Sequence, residues 1–378
     1  MSKSKQVIAI VIVAVIIIAG VWYGVVTNKT NTPQTKEPIK IGAILPLTGE
    51  GASYGDVWKK AIELGRSGIE AKYGQKVEII YEDSQMKPAD SATAAVKLIN
   101  TDKVKAIIIG TSRESLAAAP IAEANKVLMM SGGTSAEITK AGDYVFRTYP
   151  SDLYQGNDLA DFAMKKNYTQ MAVLFLNDEY GKGITDVFGQ RLELIGGKVV
   201  ASEEFQAQGA SDYKTQLTKI AKEKADAILI IGSQNQYALI LKQMKELGIS
   251  LPVLAGEAFK DQAILDTAKE LSEGVIFTAF VDPQTLEGEK FNSLYREKYA
   301  SEPGAYAAEF FDNTELLLTS LIENKGDVER AKSWLYTVKD WHGATGITNF
   351  DSNGDVVGKS YTIYTVKNGQ FVPYIESE

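Results

Sequence analysis

Val104–Gly110 reads VKAIIIG, and Ala227–Gly232 reads AILIIG. Each is a short, nearly continuous apolar run rich in isoleucine and closed by glycine. Runs of this length and composition fit strands buried on both faces, as in a parallel sheet. Each is also preceded by a stretch with helical spacing. Upstream of the first lie the strand Ile39–Leu45 (IKIGAIL), ended by Pro46, and a helix over Tyr54–Lys72 with Val57, Ala61, Leu64 and Ile69 on one face. Strand Val77–Tyr81 (VEIIY) and helix Pro88–Asn100 follow, the helix with Ala92, Val96 and Ile99 inward and Asp90 expected as its cap. Helix Ser115–Asn125 and strand Val127–Met130 come next.

After Pro150 the alternation restarts. The spacing predicts helix Leu153–Lys165, strand Met171–Leu176, helix Gly183–Leu194, strand Val199–Phe205 and helix Tyr213–Lys224 ahead of AILIIG. Helix Gln236–Leu247, strand Val253–Ala255 and helix Gln262–Leu271 continue it. Later helices are expected over Gly288–Tyr299, Ala305–Asn324 and Asp327–Val338. Tail strands are expected over Tyr361–Val366 and Gln370–Tyr374, around an Asn368-Gly369 turn. This order implies the α/β class, with two similar doubly wound parallel-sheet lobes.

The chain has 378 residues and a net charge of −8, a poor match to nucleic acid, whose binding draws on basic contacts to phosphate. It has no cysteine and a single histidine, His342, which removes disulfides, thiolate sites and most histidine-based metal or base chemistry. No phosphate-binding glycine motif or nucleophile elbow occurs, so no cofactor and no enzyme activity are expected. Asp351-Ser352-Asn353-Gly354-Asp355 imitates the start of a calcium loop but lacks its closing glutamate and flanking helices, and reads as a hairpin turn. Asp178-Glu179 and Glu203-Glu204 read as solvated faces.

The N-terminus sets the location. Lys3 and Lys5 precede Val7–Val26, which carries no charge over 20 residues. A helix of that length spans roughly 30 Å, the hydrocarbon thickness of a bilayer. Trp22 and Tyr23 lie near its end, where aromatic belts form, and the lysines place residues 1–6 in the cytoplasm. No small-residue cleavage site follows. The expectation is an uncleaved anchor over 7–26, a tether over 27–38 and an extracytoplasmic body, secreted if the helix is cleaved.

Ligands of α/β sheets bind beyond the C-terminal ends of the strands. The residues there are Thr111-Ser112-Arg113, Ser131-Gly132-Gly133-Thr134-Ser135, Asn177-Asp178-Glu179-Tyr180-Gly181, Ser233-Gln234 and Glu257. The first lobe thus presents hydroxyls and a glycine pair suited to a small anion, and Glu257 on the second suits an ammonium group.

The segments IKIGAILPLTGEGASYGD (39–56), VEIIYEDSQMKPADS (77–91), VLMMSGGTSAEIT (127–139), YVFRTYPSDLYQG (144–156), LNDEYGKG (176–183), LAGEAF (254–259) and GAYAAEFFDNTELL (304–317) carry a resemblance by their order and spacing. The chain resembles the periplasmic leucine/isoleucine/valine-binding proteins, type I solute-binding proteins of ABC importers. The resemblance implies a ligand carboxylate at Ser112, Gly132, Gly133 and Thr134, with Ser135 able to replace Thr134, and a ligand ammonium at Glu257. It implies pocket walls from Tyr54, Tyr180 and Tyr306. Ser233-Gln234 stands where leucine-binding members carry an aromatic residue, so a polar amino acid, an amide or an aromatic acid stays open beside Leu, Ile or Val. The usual disulfide of the first lobe and the lipid-anchoring cysteine are absent. Lobe boundaries at 39–150 with 281–363, and 151–280 with 364–378, follow, joined by a three-strand hinge near Pro150, Phe280 and Tyr364. The implied partners are an amino acid and the permease of an importer, for a monomer that closes on its ligand. A sensing subunit of a receptor is the alternative.

Overall fold

The computed structural model describes residues 37–206, 212–280 and 285–375, apart from the side chains of residues 50, 234 and 235. The expected anchor over 7–26 lies outside these residues. No helix among the described residues is long and apolar enough to cross a membrane.

Both quoted runs are central strands. β1 (Ile39–Leu45), β2 (Val77–Asp83), β3 (Ala106–Ile109), β4 (Leu128–Ser131) and β5 (Val145–Arg147) form a parallel sheet in the order β2-β1-β3-β4-β5. β6 (Gln170–Leu176), β7 (Lys198–Phe205), β8 (Ala227–Ile231), β9 (Val253–Ala255) and β10 (Ile276–Ala279) repeat that order as β7-β6-β8-β9-β10. β3 and β8 therefore hold equivalent places, and every residue in both is buried. The side-chain period of two sends alternate residues to opposite cores. Ala106 and Ile108 join one apolar cluster while Ile107 and Ile109 join another, and Ile228 and Ile230 separate from Leu229 and Ile231 in the same way. Each sheet is thus covered on both faces.

The helices of the first sheet are α1 (Ala52–Tyr73), α2 (Pro88–Asn100) and α3 (Ser112–Ala124). Those of the second are α4 (Asp152–Lys165), α5 (Glu179–Leu194), α6 (Lys214–Ile220), α7 (Gln234–Glu246) and α8 (Gln262–Ala268). α9 (Leu286–Tyr299) and α10 (Ala307–Glu323) then pack on α1, followed by α11 (Val328–Tyr336). A small antiparallel sheet of β11 (Trp341–Gly343), β12 (Gly346–Phe350) and β13 (Val356–Val357) follows, before β14 (Thr362–Lys367) and β15 (Gln370–Pro373) extend the second sheet beside β10. Asn368 and Gly369 turn between them at φ of 54° and 69°, the left-handed pair that a two-residue hairpin needs.

Several expectations are corrected. On α2 the inward face is Ala94, Ala95, Leu98 and Ile99, while Val96 is exposed, and Asp90 lies in the first turn with Lys87 at the cap. β5, β10 and β11 to β13 were not expected. They are two to five residues long, and none carries an unbroken aliphatic run like those of β3 and β8. Near the expected third passage, the chain leaves the small sheet after Val357 and enters β14 at Thr362, where Tyr364 pairs with Phe277. The other passages lie between Arg147 and Asp152 and between Ala279 and Leu286. Tyr361 donates its hydroxyl to Pro150 O at 3.0 Å and Lys359 donates to Thr148 O at 3.0 Å, so the first and third passages are tied together.

The calcium-like loop is a hairpin turn between β12 and β13. Asp351 accepts the backbone N–H groups of Asn353 and Asp355 at 2.8 and 2.9 Å. Asp355 is engaged by Arg147, whose Nε and Nη2 donate to its two oxygens at 2.7 and 2.6 Å. Arg147 is fully buried and also donates to the carbonyls of Thr134 and Ser135 at 2.7 and 2.6 Å. The hairpin therefore holds one of the candidate ligand loops in place.

Candidate ligand-binding site

In both sheets the chain leaves in opposite directions from the central pair, β1/β3 in one and β6/β8 in the other, and the crevice opens where the order reverses. A cavity of about 110 Å³ lies there, between the strand ends of the two lobes. One water needs only ~10–15 Å³ on this scale, so the space suits a small solute.

The first lobe supplies Tyr54, Ser112, Gly132, Gly133, Thr134 and Tyr306 to its wall. Thr111 caps α3 with Glu114, whose carboxylate accepts the Thr111 N–H at 2.7 Å and hydroxyl at 2.6 Å. This fixes the next residue, Ser112, at the cavity. Ser112 Oγ accepts the backbone N–H groups of Thr134 and Ser135, each at 3.0 Å. A hydroxyl that accepts twice keeps one O–H to donate.

The N–H groups of the glycine pair are engaged within the protein. Gly133 N donates to Ser131 Oγ at 2.9 Å and Gly132 N to Ile109 O at 2.9 Å. The glycines serve close packing instead, since a Cβ on Gly133 would meet the Ser112 backbone at 2.7 Å. Ser135 does not line the cavity. It is buried behind it, bonded to Ser112 and Arg147.

The second lobe supplies Tyr180, Ser233 and Glu257. The side chain of Gln234 lies outside the described residues. Glu257 follows β9 and is only 6% exposed. Its carboxylate accepts from the hydroxyls of Tyr149 and Tyr306, and its N–H donates to Gln155 Oε1 at 2.7 Å. Burial raises its pKa to about 7, against the lowering effect of the two tyrosines. The Tyr180 hydroxyl is buried with no hydrogen-bond partner. Tyr306, at the start of α10, has φ of 63°, a left-handed conformation that is costly for a bulky side chain and persists only where its surroundings hold it. Here the rings of Tyr54, Trp58 and Tyr149 surround that of Tyr306, with centroids 6.4, 6.3 and 5.5 Å away.

Trp58, Met86, Arg113, Leu176, Asp178 and Ala258 also line the cavity. Trp58 was not expected, although it stands four residues after Tyr54 on one helix face, a spacing that could have found it. Asp178 is not the solvated residue expected. It caps α5 by accepting the Gly181 N–H at 2.9 Å, and burial raises its pKa. Its neighbour Glu179 is exposed. Tyr149 had no signal, since its approach to Glu257 spans 108 positions of sequence. His342 is exposed on β11.

The sequence matches the periplasmic binding protein family over residues 38–370. The Leu/Ile/Val-binding protein BraC3 of Rhizobium johnstonii is 26% identical over 361 residues, covering 92% of this chain and 96% of that protein. The crystal structure of a leucine-binding protein, LivK, from Thermotoga maritima superposes with a TM-score of 0.82 at 32% identity, covering 89% of this chain and 98% of the other. The branched-chain amino acid transporter substrate-binding protein LivJ of Streptococcus pneumoniae, in complex with isoleucine, gives 0.79 at 28%, covering 89% and 98%. These are binding proteins by name rather than enzymes. With two lobes of the same strand order facing one cleft and a family match over nearly the whole described body, the chain belongs to the periplasmic binding protein family.

Proposed function

We propose that this protein is the extracytoplasmic solute-binding component of an ABC importer and takes a free α-amino acid of the Leu/Ile/Val size class into its cleft. The observation that carries this reading is the buried carboxylate of Glu257 on one lobe, sharing a cavity with the Ser112 hydroxyl and Thr134 on the other. A zwitterion in a closed cleft loses its water and needs a hydrogen-bonded partner at each charge. Ser112 and Thr134 take the carboxylate, helped by the N-terminus of α3. Glu257 takes the ammonium and gives up its proton as it does so. Tyr54, Trp58, Tyr180 and Tyr306 enclose the rest. The ligand touches both lobes, so it favours the closed arrangement by its greater affinity for it. Family membership supports the extracytoplasmic location, and the names of the relatives support a permease partner. The charge-free run over 7–26 supports tethering of a monomer to the membrane.

The test is a thermal-shift screen of the full chain, in mild detergent, against the twenty amino acids, followed by calorimetry of the hits. A ligand at 100 times its Kd adds about 2.7 kcal/mol to stability, well within what a melting curve resolves. A shift with Leu, Ile or Val is expected. No shift with any α-amino acid overturns the reading.

A further inference from the structure

The cavity holds a polar pair that the zwitterion does not use. Arg113, in the first turn of α3, and Asp178, at the cap of α5, face each other across the cleft, with Nη1 3.8 Å from Oδ2. That distance joins two charges but is too long for a hydrogen bond. Arg113 Nε is buried with no hydrogen-bond partner. Asp178 commits Oδ1 to the Gly181 N–H, and Oδ2 faces Arg113. The two side chains are 16% and 10% exposed, so little water reaches them. Ser233 lines the same cavity with a short side chain.

A wall of this kind selects by its unmet bonds. An aliphatic side chain would cover both charges and bond neither. An acidic side chain suits Arg113 and is repelled by Asp178, and a basic one has the reverse problem. A neutral group with one acceptor and one donor side by side satisfies both.

We infer that this corner of the cavity recognises a carboxamide on the ligand's side chain, its carbonyl accepting from Arg113 and its NH₂ donating to Asp178, so that glutamine or asparagine is a ligand alongside the aliphatic amino acids. The inference rests on the α-amino-acid reading above. It replaces one long ion-pair contact by two charge-assisted hydrogen bonds.

Calorimetry of the full chain with Gln, Asn, Glu, Lys and Leu tests it, beside Asp178→Ser and the double variant Arg113→Leu/Asp178→Ser. Serine keeps a cap on α5, and a melting curve of each variant checks its fold. Gln or Asn should bind the parent at least tenfold tighter than Glu or Lys. In the double variant, amide binding should fall at least tenfold, on the order of one lost hydrogen bond to a charge, while Leu binding should hold or tighten, because the charges it leaves unbonded are gone. Three results overturn the inference. Leu binds the parent and no amide does. Amide and Leu affinities fall together in the double variant, which makes the pair a general closure contact. No amino acid binds the parent, which sinks the α-amino-acid reading as well.

Discussion

The two lobes share a strand order and differ in what they bring to the cleft. At the strand ends of the first lobe, the N–H of Gly133 donates to Ser131 Oγ and those of Thr134 and Ser135 donate to Ser112 Oγ before any ligand arrives. Arg147 and Asp355 lock that arrangement from behind. At the strand ends of the second lobe burial pushes the Glu257 carboxyl up to about 7, against the lowering effect of the Tyr149 and Tyr306 hydroxyls, the latter reaching across the cleft from the first lobe. One side is a preorganised neutral cradle. The other is an electrostatic demand that a ligand can meet. On the reading proposed above, similar scaffolds divide a zwitterion by chemistry rather than by shape.

The largest effect should come from breaking the lock behind the cradle. Arg147→Met leaves Asp355 without its buried partner and two loop carbonyls without donors, so a loss of about 3–5 kcal/mol in stability is expected by denaturant titration. A loss below about 1 kcal/mol would mean that the loop holds itself.

Glu257→Gln attacks the other lobe and keeps the shape. It should weaken amino-acid binding by roughly 100-fold or more, read by calorimetry, since a buried ammonium loses its charged acceptor. Unchanged affinity would remove Glu257 from the ammonium role.

The same group sets two pH dependences. Its folded pKa of about 7 lies above the ordinary value of 4.5. Without ligand, the raised value stabilises the fold fully below pH 4.5, and that contribution is lost as pH rises toward 7. The parent should therefore lose up to about 3 kcal/mol relative to Glu257→Gln between pH 4.5 and 8. Ligand affinity runs the opposite way. It should fall about tenfold per pH unit well below pH 7, because the ammonium needs the ionised carboxylate, and Glu257→Gln should flatten the profile. Profiles identical in parent and variant would assign the titration elsewhere.

The smallest effect sharpens the contrast. Ser112→Ala removes one hydroxyl from the cradle and should weaken binding about tenfold, with about 1–2 kcal/mol of stability lost because the N–H groups of Thr134 and Ser135 lose their acceptor. If binding falls while stability is unmoved, the loop N–H groups have turned to the ligand instead.

Much of the fold was legible because buried strands and amphipathic helices write their periods into the chain. Long, strongly patterned elements such as β1, α1 and β6 fell where their spacing put them, and β3 and β8 were marked by their unbroken aliphatic runs. The strands β5, β10 and β11 to β13 did not, because they are short and none carries an unbroken aliphatic run like those of β3 and β8. On α2 the inward face was misread because alanines on two sides of the helix made the stripe ambiguous, and packing left Val96 outside. In the site, Ser112, Thr134 and Glu257 were legible from their places at strand ends. Tyr149 and the burial of Asp178 were not.

The sequence by itself determined the class, the repeated lobe and the strand ends that line the cleft, because those depend on local period and on the order of elements. Only the tertiary structure decided which polar groups remain available there. Ser112 keeps its O–H because two backbone groups from residues 22 and 23 positions away occupy its oxygen. Glu257 titrates near 7 because the folded chain removes its water. Arg113 and Asp178 form a pair because two lobes meet. Each of these depends on a distance through space, which the order of residues does not record.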